Sequence, residues 1–229
     1  GVAHEFNNLM QIVIGHADLA AMDAGPLSPL QPDLASIRHA AERAAALTSQ
    51  LLHFAGRYRG RRRPLDLAAT IEQLDVVRNA LGPLVPLELA LSPVPMTLAD
   101  PQQIQLALVE LAVNAREAMP AGGRFRIEVR EDVLTEALPT PVLGVPPGRY
   151  VVIDASDTGP GIPETAVPHV FEPFFTTKPT SRGPGLGLAA VYGIVAAHQG
   201  GIGLETQPGA GTHFRLYFPV VDAAAPQPA

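Results

Sequence analysis

The chain contains no cysteine in 229 residues, which excludes disulfide cross-links and thiolate metal sites and fits a reducing compartment. No apolar run reaches the length of a membrane span, and no signal-peptide pattern opens the chain. A cytoplasmic setting without membrane contact is therefore expected of this stretch. Excess positive charge is also lacking. The formal net charge of -6 gives no general affinity for nucleic acid or anionic lipid. There is no internal repeat, and no G-x-x-x-x-G-K-[ST] phosphate loop occurs. The chain opens at Gly1 inside a helical pattern, so it reads as a piece of a longer protein whose upstream part, with any membrane anchor, lies outside it.

What is present is an ordinary hydrophobic content, 47%, enough to build a core. The length suits a helical module followed by an α/β domain. Residues 1 to about 24 carry Val2, Phe6, Leu9, Val13, His16 and Ala20 at alternating spacings of four and three, a heptad seam. Gly25, Pro26, Ser28, Pro29 and Pro32 break the pattern. It resumes at Ile37, Ala40, Ala44, Leu47, Leu51, Phe54 and Tyr58. Two such helices make an antiparallel hairpin over residues 1–60. A lone hairpin has one seam to bury, so pairing with a second copy as a four-helix bundle is expected. His16 falls on the seam and reads as a packed core histidine. The other histidines, His4 apart, read as structural.

The basic run from Arg57 to Arg63 reads as a solvated linker at a helix end, and 61–66 is assigned as the linker. From Leu67 to Val221 the pattern is mixed α/β, and 222–229 reads as a disordered tail. A helix is expected over Leu67–Leu81 and strands over Glu88–Leu91, Arg124–Val129 and Tyr150–Ala155. Asp100-Pro101 predicts a capped helix through Met119. Residues 131–148, rich in Pro and Gly, read as a long surface excursion. A helix from near Gly185 to His198 precedes strands at Ile202–Thr206 and Thr212–Phe218.

Two constellations carry chemistry. In the first helix His4 lies opposite the seam, with Asn8 one turn on and Glu5 beside it. A solvated imidazole is largely neutral and nucleophilic near neutral pH. An adjacent carboxylate can orient the ring and take its proton as the other nitrogen attacks. The second constellation comes in four pieces. Glu110 and Asn114 share one face of a strongly apolar helix, where polar groups are costly unless a ligand or ion solvates them. Both are hard oxygen donors suited to Mg²⁺ held with phosphates. Asp157-Thr-Gly159-Pro-Gly161 follows a strand, so its backbone can approach a flat ring and Asp157 can accept from an exocyclic amine such as that of adenine. Phe171-Glu-Pro-Phe174-Phe175 would anchor a mobile lid running through Lys178, Ser181 and Arg182. Gly183-Pro-Gly185-Leu186-Gly187-Leu188 then opens a helix whose amides can face anionic oxygens. The overlapping dinucleotide pattern G-x-G-x-x-A lacks the strand it requires just before it and is set aside.

In order and spacing these pieces resemble the catalytic core of two-component sensor histidine kinases over nearly the whole chain. His4-Glu-Phe-Asn-Asn8 looks like the phosphoacceptor box. Asn114 is similar to the magnesium-binding asparagine. Asp157, Gly159 and Gly161 match the adenine box, Phe171 to Phe175 the aromatic box, and Gly183 to Leu188 the glycine box at the ATP lid. Gly209-Ala-Gly211-Thr212 matches the last nucleotide-facing turn. The resemblance implies an α+β protein: a dimerising phosphotransfer hairpin, then an α/β sandwich of the Bergerat type that binds ATP. It implies autophosphorylation of His4 and transfer to an aspartate on a response-regulator receiver domain, with dephosphorylation of that partner, helped by Asn8, as a further expectation. Glu110 departs from the many members that carry Asn there. It either assists the metal site or activates water for direct hydrolysis, as in related gyrase-type ATPases. A gyrase-like machine without phosphotransfer would leave the hairpin unexplained. A scaffold with a relict site would leave the intact boxes unexplained.

Overall fold

In the computed structural model the described residues are 2–25, 28–38, 40, 41, 44, 61–73, 75–138, 143–177 and 185–221, with the side chains of 2–7 outside the description. The expected second helix beyond position 44 and the tail 222–229 lie outside the described residues.

Helix α1, Val2–Ala24, ends at Gly25. The Gln31 Nε2 donates to Ala21 O at 2.7 Å and Gly25 O at 2.8 Å, so it covers carbonyls that a helix end leaves without partners. Residues 31–38, 40, 41 and 44 form the start of α2. The sheltered positions of α1 are Met10, Ile14, Ala17, Ala21 and Ala24, again at spacings of four and three. Leu9, Ile12, Val13, Leu19 and Met22 are exposed. The sheltered stripe is therefore displaced by about one position from the expected seam. His16, expected as a packed histidine, is exposed, because its neighbour Ala17 is the residue turned inward.

Strand β1, Arg63–Leu65, pairs antiparallel with β3, Thr97–Ala99. Half of the expected linker is thus strand. Asp66 caps α3, Leu67–Glu72, by accepting from Ala69 N at 3.0 Å. The single helix expected over 67–81 is two, because α3 closes at Gln73 and α4, Asp75–Leu81, restarts with an acid in its first turn. Asp100 accepts from Gln102 N at 2.9 Å and caps α5, Pro101–Ala118, with proline at its start as expected.

Five strands form the main sheet in the order β2-β4-β5-β7-β6. They are β2 (Leu87–Leu91), β4 (Phe125–Leu134), β5 (Gly148–Asp157), β6 (Gly201–Thr206) and β7 (Thr212–Pro219), with only β2–β4 parallel. Alternation turns Ile127, Val129, Val151, Ile153, Leu216 and Phe218 onto one face, all buried. Helices α5 and α6 (Gly187–Ala197) cover that face and contribute Ile104, Leu108, Leu111, Val191 and Ile194 to the same core. The result is a two-layer α/β sandwich. Among the described residues, no helix is long and apolar enough to cross a membrane.

The stretch 131–148 is less of an excursion than its composition suggests. β4 runs on to Leu134, opposite Gly148 on β5. Within the remainder, Leu138 bridges Val145, and Leu143 bridges Ile202 at the edge strand β6. Val145 is buried with Tyr150, Val152 and Tyr217 in a second small apolar cluster on the outer sheet face. Apolar residues placed among the prolines give this segment a surface to bury, and the bridge to β6 occupies part of a sheet edge.

One buried polar group joins the two helices of the core. His198 Nδ1 lies 2.7 Å from Ile194 O, and Asp100 N donates to His198 Nε2 at 3.1 Å. The ring is therefore neutral, donating from Nδ1 and accepting at Nε2, and the structural role expected of it holds. Burial pushes its pKa below the ordinary value of 6.5. As pH falls through the unfolded-state value, the unfolded chain takes up a proton that the folded ring resists, so stability declines with falling pH. The expected result is a lower urea midpoint at roughly pH 5.5 than at pH 7. His198→Gln should show a smaller acid loss; an undiminished loss in that variant would remove His198 as its source.

Candidate functional site

At one end of the sheet, β5 finishes at Asp157, beside Thr212 at the start of β7, which in turn pairs with Thr206 at the end of β6. Three strand ends therefore meet in one row. The Asp157 Oδ1 accepts from Gly159 N at 2.8 Å, and the Thr212 amide also donates to this carboxylate. Burial pushes the Asp157 pKa above its ordinary value, and the two amides offset only part of that rise. An acceptor held this way by two backbone donors has a fixed aim.

Two glycines let the surrounding loops approach closely. Gly161 has φ of 75° and Gly211 φ of 86°, conformations that side chains rarely adopt. A Cβ on Gly161 would meet Gln207 O, and one on Gly211 would meet Asp157 O. The loop after β5 and the turn before β7 thus interlock. Gly209 N donates to Pro160 O at 2.7 Å, and Ile162 N donates to Thr206 Oγ1 at 2.8 Å. Gly159 is held from the other side by Met119 and Ala118 at the end of α5.

The second half of the site is built by α5 against α6. A Cβ on Gly187 would lie 2.7 Å from Glu110 Oε2 and 3.4 Å from Asn114 Nδ2. The carboxylate and the carboxamide therefore both face the first turn of α6, on one side of α5 as their i, i+4 spacing predicts. Asn114 Nδ2 is buried and without a hydrogen-bond partner among the described residues. An unsatisfied buried amide is expensive, on the order of 1–3 kcal/mol, unless a ligand solvates it.

Leu186, just before α6, is buried, and Leu188 is half-buried. These two leucines of the glycine box anchor the helix, while Gly185 and Gly187 face its surroundings. Phe174 N donates to Gly185 O at 2.8 Å and ties the aromatic box to the glycine box. Phe171 stands edge-on to Phe214 of β7 at 6.2 Å, which anchors that box in the core. Lys178 and Gly183 lie outside the described residues, as do Ser181 and Arg182.

Of the phosphoacceptor residues, His4, Glu5 and Asn8 all lie on α1. Asn8 is exposed, while the side chains of His4 and Glu5 fall outside the description. The structure thus gathers Asp157, Gly159, Gly161 and Thr212 at the strand ends, and Glu110, Asn114, Gly185, Leu186, Gly187 and Leu188 around the α5–α6 contact. Sequence reasoning missed Thr206. Its signal is strand register, opposite Thr212, which no local pattern displays.

The family model described as "Histidine kinase-, DNA gyrase B-, and HSP90-like ATPase" matches residues 99–222. The sensor kinase CckA of Brucella abortus (strain 2308) is 38% identical over 227 residues, covering 96% of this chain and 23% of that protein. The sensor protein FixL of Bradyrhizobium diazoefficiens is 32% identical over 229 residues, covering 96% of this chain and 43% of that protein. Full-length ShkA, solved in complex with AMPPNP, superposes with a TM-score of 0.71 at 26% identity, covering 99% of this chain and 46% of that one. The chain therefore spans less than half the length of these relatives. Asp157, Asn114 and the glycine box lie inside the matched region. The chain belongs to the histidine kinase-, DNA gyrase B- and HSP90-like ATPases, and it carries the catalytic core of a sensor histidine kinase.

Proposed function

We propose that this chain transfers the γ-phosphoryl group of ATP to its own His4 and then to an aspartate on a response-regulator receiver domain. The observation that carries the nucleotide half is the buried Asn114 Nδ2, without a partner among the described residues, facing the first turn of α6 beside the Glu110 carboxylate. The oxygens of that pair would suit a magnesium ion shared with phosphates, and the unpaired Nδ2 would donate to a phosphate oxygen. When bound, magnesium neutralises phosphate charge and templates the in-line geometry.

The chain's own residues do the rest. Asp157 accepts from the exocyclic amine of adenine. Gly185 and Gly187 keep the entry to α6 free of side chains, and its amides face the phosphates with Lys178 as an added positive charge. One imidazole nitrogen of His4 attacks the γ-phosphorus with its lone pair. The bond to the bridging oxygen breaks, and its electrons leave on ADP. Glu5 takes the proton from the other nitrogen. Asn8, exposed one turn beyond His4, orients a water for the reverse task on the phosphorylated partner.

The exposed apolar stripe of α1, with Leu9, Ile12, Val13, Leu19 and Met22, supports a homodimer in which a second hairpin covers it as a four-helix bundle. ATP, magnesium and a receiver domain all fit a cytoplasmic setting. The test is incubation with γ-labelled ATP. Label should stay on the chain with Mg²⁺ present and fall to background with EDTA. Equal labelling with the chelator would remove the metal from the reading, and absence of label under both conditions would remove the kinase.

A further inference from the structure

Asp157 owes its aim to two amides on two different segments, Gly159 in the loop after β5 and Thr212 at the start of β7. Neither segment is rigid by composition, since residues 157–162 and 207–212 are rich in glycine and proline. Besides the backbone hydrogen bond from Gly209 N to Pro160 O, one side chain fastens them together. Thr206 Oγ1 accepts from Ile162 N at 2.8 Å and donates to Gly211 O at 3.0 Å. It also lies 3.4 Å from the hydroxyl of Thr212, its register partner.

We propose that Thr206 is a positioning residue for adenine recognition: its hydroxyl locks the Asp157 loop to the β6–β7 turn, so that the carboxylate meets the exocyclic amine. A threonine hydroxyl has one donor and two acceptor sites, and the geometry uses the donor on one segment and an acceptor on the other. Valine has the same shape without either. In Thr206→Val, the Ile162 amide and the Gly211 carbonyl lose their common partner, and the loop after β5 keeps only its backbone ties to the turn, such as Gly209 N to Pro160 O, so the Gly159 amide and Asp157 hold their alignment less tightly. Small misplacements of a hydrogen-bonding group are costly in recognition because a desolvated pair is either aligned or unmade. Thr206→Ser keeps both hydrogen bonds.

This inference rests on Asp157 being the adenine contact, and the experiment separates the two ideas. Binding of ATP and of purine riboside triphosphate, which carries hydrogen in place of the amine, is measured by calorimetry on the whole chain. Wild type should prefer ATP. Thr206→Val should weaken ATP by about tenfold and the amine-free analogue by less than about twofold, so that most of the preference disappears. Thr206→Ser should restore it. Equal weakening of both nucleotides in Thr206→Val would show a merely structural role, and no weakening of either would show no role; both overturn the inference. A wild type without preference for ATP would instead overturn the reading of Asp157.

Discussion

His4→Ala should abolish labelling by γ-labelled ATP, a loss of three orders of magnitude or more, on the order of what removal of a nucleophile costs. It should leave ATP affinity unchanged within about twofold, because nucleotide recognition belongs to the strand ends and the α5–α6 contact. The separation follows from the build of the protein. His4 lies on α1, the first helix of the hairpin, whereas Asp157, Asn114 and Gly187 belong to the α/β sandwich. The core of that sandwich draws on residues from Leu65 onward, so α1 is not needed to assemble the nucleotide site. Labelling and calorimetry on the same preparation check both halves. Labelling retained in His4→Ala would transfer the acceptor role to another residue. A parallel fall in ATP affinity would mean that the hairpin forms part of the nucleotide site.

Asp157→Asn should have the opposite profile, with nucleotide affinity lost first and labelling lost as a consequence. The carboxylate accepts from the amides of Gly159 and Thr212 and still has lone pairs for an amine. Asparagine offers one acceptor oxygen. If that oxygen takes the amides, its NH₂ faces the exocyclic amine, donor against donor. If it faces the amine, the NH₂ opposes the amides. Either way a buried polar group is left unmatched, at a cost of about 2–3 kcal/mol, or roughly 30- to 150-fold in affinity. Calorimetry with AMPPNP checks it. An affinity within about threefold of wild type would mean that Asp157 does not touch the base.

Much of this site was legible in the sequence because its parts are local. Asp100-Pro101 marked the start of α5, and the i, i+4 pair Glu110 and Asn114 stood out as polar residues on an apolar helix. Asp157 was legible as an acid at a strand end followed by glycines. What remained hidden depends on partners distant in sequence. β1 and β3 have three residues each, too few to show a period, and they pair across more than thirty positions. The split between α3 and α4 turns on one loop at Gln73 within an otherwise helical pattern. The phase of α1 misled for a different reason. Its apolar residues cover two stripes, and pattern alone does not say which one meets α2 and which one is left for another surface. The segment 135–147 carried a loop's composition, yet Leu138, Leu143 and Val145 give it a packing role that only the outer face of the sheet explains. Thr206 was invisible for the same reason as β1: its meaning lies in register.

The chemical nature and position of the label test the central claim most directly. After incubation with γ-labelled ATP and Mg²⁺, the labelled chain is divided between acid and alkali and then cleaved for mapping. A phosphoryl group on imidazole nitrogen should be lost in acid and survive alkali, and it should map to the peptide carrying His4. Label that survives acid, or that maps to His16 or any other residue, would contradict the assignment of His4 as the acceptor.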